Sequence, residues 1–177
     1  MTDLDRMWSE MLEEAMNAAR ASGRGDVADY LDLKARNDAM RRTSVRWLLE
    51  SITELAADAN RELEVITIDR EDPHNFPHLG ANIVGTLMKL RYGVRCLTVE
   101  AGWTRTPTDG FMRGGALAIG KLTHFGMAKM NVELALKPAS DVPVWIATYQ
   151  DGSSIEVDPE FLRSHFAIFI GSERTVV

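Results

Sequence analysis

Between Glu100 and Gly115 the chain sets two arginines, a tryptophan, an aspartate and a pair of glycines in one short stretch, EAGWTRTPTDGFMRGG. Arg105 and Arg113 can make forked contacts to a phosphate or carboxylate, and Trp103 offers a flat face to a ring. The glycines let backbone N–H groups approach an anion. With Glu100 and Asp109, these residues are the ligand-binding candidates, and the ligand they suit is anionic. A connection of this length is unusual between paired strands, which are normally joined by two to five residues. A plainer reading stands beside it. Pro107 to Gly110 is an ordinary β-turn sequence, Asp109 can pair with one of the arginines, and Trp103 can anchor a core. Gly114, Gly115, Ala116, Ala118 and Gly120 follow, small enough for a ligand's close approach or for a kink in a curved sheet.

A second cluster lies in DREDPHNFPH, where Asp69, Glu71, His74 and His78 supply the atoms for a metal or general acid–base site. His74 and His78 are the candidate metal ligands, with His124 or Glu100 as partners that a sheet could bring in. Pro73 and Pro77 preclude the regular helix that would put both histidines on one face, so the segment reads as a loop. His124 and His165 read as packing or surface residues, and Cys96 as a buried strand thiol. The serines lack the G-x-S-x-G elbow, and no phosphate loop, G-x-G-x-x-G or zinc-finger spacing is present. No cofactor is expected.

A third group, Lys34, Arg36, Arg41, Arg42 and Arg46, lies among helices as in a helix-turn-helix. Asp26, Asp29, Asp32 and Asp38 beside it would repel a DNA backbone, so a solvated helix face is the simpler account and nucleic acid is disfavoured as a partner.

The elements that must position these residues divide the chain. Leu4, Met7, Trp8, Met11, Leu12, Ala15, Met16 and Ala19 form one helical stripe. Ser22 to Gly25 interrupts it, and Asp26 can cap a second helix packed antiparallel to the first. The stripe fades over 34–44 and returns at Val45, Leu48, Leu49 and Ile52. This fits either one long helix or a break near Thr43 with Ser44 as a new cap, and the break is the preferred reading. From Leu63 onward, short β-branched and aromatic runs alternate with Gly, Pro and Asp, placing strands near 63–69, 83–92, 95–101, 114–124, 131–137, 143–149 and 153–157. No helix-length segment separates the strands between 83 and 157, which excludes parallel crossovers and favours an antiparallel meander. Asp158-Pro159-Glu160 opens a last helix. The fold class is therefore α+β: two or three N-terminal helices, a mostly antiparallel meander of about six strands, and a C-terminal helix. Residues 1–62 form the helical segment and 63–177 the sheet with its helix, within one continuous domain.

At 177 residues, 45% of them apolar, the chain can bury a core without disulfides, and its single cysteine fits a reducing compartment. The acidic N-terminus and the lack of a long apolar run point to a cytoplasmic protein without a membrane anchor. Net charge is −6, divided between +5 over residues 81–130 and −11 elsewhere. The basic middle could form a local anion-binding face or simply solvated strand faces. The expectation is a non-catalytic binding domain for an anionic small molecule or an acidic protein partner, with self-association, as a homodimer, through the N-terminal helices. The alternatives are a metal-assisted hydrolase acting on a phosphate or ester, using Asp69, Glu71, His74 and His78, and an assembly protein with no small-molecule ligand.

Overall fold

The structure is a computed structural model and describes residues 3–63, 65–110 and 112–172. Helices α1 (Asp3–Ala21) and α2 (Gly25–Leu63) are followed by strands β1 (Thr67–His78), β2 (Ala81–Tyr92), β3 (Arg95–Trp103), β4 (Ala118–His124), β5 (Val132–Lys137), β6 (Val144–Tyr149) and β7 (Ser154–Glu156), and then by helix α3 (Pro159–Ile170). The strands form one sheet in sequence order, every neighbour antiparallel. The α+β meander is as expected, with seven strands. By contact density the chain divides into two compact units, one ending at Met40 and the other beginning at Arg41.

In the first unit α1 stops in a Schellman turn: Gly23 adopts φ +71°, its N–H donates to Arg20 O, and the Arg24 N–H donates to Ala19 O. Ala19 and Ala28 are buried there, while Met7, Met11, Val27, Tyr30 and Leu33 are exposed.

The break expected near Thr43 does not occur, because α2 runs unbroken for 39 residues. Ser44 lies inside the helix and caps nothing, and Asp26 sits in the first helical turn, where it favours the helix dipole. A fading apolar stripe reports a change in what the helix faces, not its end. The polar stretch contains no Gly or Pro and is laced by i,i+4 pairs, Lys34 with Asp38 at 2.8 Å and Arg36 with Asp32.

In the second unit Val45, Leu48, Leu49, Ile52 and Ala56 of α2 are buried at helical spacing. Asn60 closes the helix-to-strand link, its Nδ2 donating to Ile66 O and its Oδ1 accepting from the Val65 and Ile66 amides. One sheet face carries the main core. The register row Met88, Val99, Leu122 and Val132 is almost wholly buried on it. Thr53 of α2 reaches Met88 Sδ, and Trp145 Nε1 donates to Ser44 O at 3.1 Å. Helix α3 packs on the same face through Phe161, Leu162, Phe166 and Phe169. It starts with the Asp158 side chain accepting from the Phe161 amide and ends at Gly171 in the left-handed region.

Candidate functional site

The opposite face carries the polar residues, and a β-bulge decides which of them meet. Glu71 and His74 are three apart, so a regular strand would point them to opposite sides. In β1 the register slips between them: Glu71 pairs with Leu87 and His74 with Gly85, one extra residue being taken up around Asp72–Pro73, a cis peptide bond. Both side chains thus reach one face. Thr86 Oγ1 donates to Asp72 Oδ2 at 2.9 Å and pins the bulge. The stretch read as a loop is therefore a strand. It tolerates Pro73 and Pro77 because β1 is an edge, where missing N–H donors cost no ladder bond.

Three strands bring His74, two carboxylates and a lysine together. His74 Nδ1 lies 3.1 Å from Glu71 Oε1, and its Nε2 lies 3.4 Å from Glu100 Oε2. The Lys121 ammonium stands 4.0 Å from the other oxygen of Glu100. The His74 ring stacks on Phe76, which belongs to a small second core with Ala81, Ile83, Ala116 and Ile119 at one end of this face.

The cluster continues across the sheet. Glu71, Leu87, Glu100, Lys121, Glu133, Thr148 and Ser154 are successive register partners, so one row of this face crosses all seven strands. Lys121 stands between two carboxylates, Glu100 and Glu133, as their cross-strand neighbour. Beyond it Lys121, Thr123, Asn131, Glu133, Thr148 and Gln150 line a groove of about 380 Å³. Asn131 Oδ1 accepts from the His124 backbone N–H, which fixes the amide at the groove's edge. Such walls offer one cation, one carboxylate and several hydroxyl and amide groups to a polar ligand.

Glycines shape the sheet beside the cluster. Gly85 and Gly102 are register partners, and a β-carbon on Gly85 would lie 2.5 Å from Gly102 Cα and closer still to the Ala101 carbonyl oxygen. A β-carbon on Gly120 would collide with the Glu100 carbonyl oxygen. Backbones approach here as only glycine permits, so Gly120 serves the close contact of β3 and β4.

The arginine loop divides. Glu100 joins His74, as described, whereas Trp103 belongs to the alternate set of β3 positions and is only 5% exposed. The Arg105 guanidinium lies 3.9 Å over its ring centroid. Asp109 holds the backbone at the start of the loop. Its Oδ2 accepts from the Arg105 and Thr106 amides at 3.1 and 2.9 Å, and the Thr106 amide chiefly holds the carboxyl below its ordinary value. The side chain of Arg113 lies outside the described residues. His78 sits at the far end of β1 opposite Ala81. Four residues of extended strand separate it from His74 by about 13 Å, too far to share an ion.

The two carboxylates at His74 occupy opposite ring nitrogens, so an ion bound at one nitrogen would meet only one of them. Among the described residues no group of three or more His, Cys, Asp or Glu is placed to hold a metal. Cys96 is partly exposed instead of buried, with Sγ 3.7 Å from Thr98 Oγ1. His124 and His165 are buried and hydrogen-bonded to each other, a pairing across 41 residues that no local spacing could reveal. Among the described residues no helix is long and apolar enough to cross a membrane. No family model, curated protein or solved structure matches this chain.

Proposed function

We propose that the chain is a non-catalytic binding domain whose polar sheet face takes a small polar ligand carrying an anionic group. The observation that supports this most is the groove over β4, β5 and β6, where Lys121 is the cation facing such a group. Thr123, Thr148, Asn131 and Gln150 suit hydroxyl or amide groups on the ligand's body, and Glu133 suits a donor. The flanking carboxylates would repel a polyanion and favour a ligand with one negative end and several donors, in the manner of an amino acid or a sugar acid. His74 fits a supporting role, because both its ring nitrogens are engaged by carboxylates. The test is thermal denaturation against a panel of amino acids, hydroxy acids and sugar acids. A hit should raise the melting temperature of the parent protein and leave Lys121→Ala unshifted. Equal shifts in both proteins would defeat the assignment.

Self-association through the helical hairpin is a second part of the reading, and a separate observation supports it. Met7, Met11 and Tyr30 are 58%, 60% and 63% exposed, and Val27 and Leu33 are exposed as well. Methionine packs adaptably, and a second copy of the hairpin would offer the same chemistry in return. Sedimentation equilibrium should show a dimer that Met11→Glu with Tyr30→Glu converts to monomer. A monomeric parent protein at high concentration would remove this part and leave the groove reading untouched.

A further inference from the structure

On the helical face of the sheet, a chain of polar side chains ties three elements together inside an otherwise apolar layer. His124 of β4 and His165 of α3 are each 2% exposed. Nε2 of His124 lies 3.0 Å from Nδ1 of His165, whose Nε2 lies 3.1 Å from the Tyr149 hydroxyl on β6. The rings are layered, His124 on His165 at 5.3 Å and Tyr149 on His165 at 6.1 Å, with Phe161 against His165 at 4.4 Å. The remaining ring nitrogen, His124 Nδ1, is buried with no hydrogen-bond partner.

Counting protons fixes the direction of the chain. Two neutral imidazoles and a phenol carry three exchangeable protons, and each of the two links uses one. The third must sit at an end, either on His124 Nδ1, where nothing accepts it, or on the hydroxyl of Tyr149, a partly exposed residue whose contact with His165 is only part-buried and open to water. The links therefore run from His124 Nε2–H to His165 Nδ1, and from His165 Nε2–H to the Tyr149 oxygen. A proton added from solvent has only His124 Nδ1 left to occupy, and it makes a buried cation there.

We propose that this His124–His165–Tyr149 chain is an acid-sensitive clasp: at neutral pH it holds α3 on the sheet, and proton uptake by the pair releases α3 before the meander unfolds. The surroundings offer the added charge no compensation. Among the described residues neither ring is paired with a carboxylate, and α2 sends no hydrogen bond or ion pair to either. The charged neighbours are Asp151, which acts on Tyr149 from the β6–β7 turn, and Arg95, a cation that donates to Ile168 O at the end of α3. Burial holds His124 down at about 4, and burial together with the His124 ring does the same for His165. Once α3 lifts, both rings regain ordinary basicity near 6.5, so acid favours the lifted state. Helix α3 is the element that yields because it is a single short helix, whereas β4 and β6 are each paired on both sides.

The inference does not depend on the ligand reading. Hydrogen exchange of the full chain, expressed as protection factors so that intrinsic exchange is removed, tests it. Between about pH 7 and about pH 5, protection across Pro159–Ile170 should fall about 20-fold for one titrating ring, and further if both titrate, while β2 to β5 stay protected. The His124→Leu/His165→Phe double variant should show no such fall. If that variant fails to fold, imidazole nitrogen shifts of the parent protein decide instead, with both rings neutral and His124 protonated at Nε2 around pH 6. Rings titrating near 6.5 in the folded protein, or α3 and sheet losing protection in parallel, would overturn the proposal.

Discussion

Substituting Gly85 by alanine tests whether the close approach of β2 and β3 is built into the backbone. The added β-carbon would sit 2.5 Å from Gly102 Cα and nearer still to the Ala101 carbonyl oxygen, both backbone atoms of the paired strand. No rotamer can relieve such a contact, so β2 and β3 must separate by about an ångström at the point where Gly85 also pairs with His74. Overpacking of this kind costs about 3 kcal/mol, and alanine returns roughly 0.5–1 kcal/mol through lower unfolded-state entropy. The net loss is about 2 kcal/mol, which lowers the melting temperature by roughly 4–8 °C in a domain of this size. Gly126→Ala is the comparison. Its β-carbon meets nothing, and its φ of +79° costs about 1 kcal/mol. Urea titrations should rank Gly85→Ala below Gly126→Ala, with m unchanged. A Gly85→Ala protein as stable as the parent would refute the claim that the strands touch there.

Further expectations follow from single contacts. Asp158→Ala removes the cap from α3 and should cost about 1 kcal/mol in urea denaturation, whereas Asp158→Asn should cost less. Arg105→Ala should cost roughly 0.5–1 kcal/mol by uncovering Trp103 and should leave ligand-induced thermal shifts intact; lost shifts would return the site to the arginine loop. Because the two buried rings are held near 4 when folded and titrate near 6.5 when unfolded, their contribution is complete above about pH 6.5. It declines as pH falls from there toward about 4. On the order of 3 kcal/mol per ring is at stake, and a melting temperature flat across that window would contradict the burial argument.

The meander was legible in the sequence because its strands are short, punctuated by Gly, Pro and Asp, and joined by connectors too short for crossovers. Helix α3 announced itself through Asp158-Pro159. What escaped has a common physical origin. The polar turn from Lys34 to Ser44 hid the continuity of α2, since hydrophobic periodicity reports burial and not helicity. Two prolines hid the second half of β1, because an edge strand tolerates what a central strand does not. Glu71 and His74 share a face only through the bulge, and a one-residue slip inverts every alternation beyond it. Glu100 was read both in the arginine loop and as a partner that a sheet could bring to His74; the structure sets it 3.4 Å from His74, while Trp103 three residues on turns to the other side. The His124–His165 pair is set by the docking of α3 on the sheet, which leaves no periodic trace in the chain.

Amide chemical-shift mapping with the strongest hit from the ligand panel is the most direct test of the binding face. Perturbations should centre on Lys121, Thr123, Glu133, Thr148 and Gln150, and vanish in Lys121→Ala. Perturbations centred on the segment from Trp103 to Gly115 instead, or a pattern unchanged by the lysine substitution, would contradict the account.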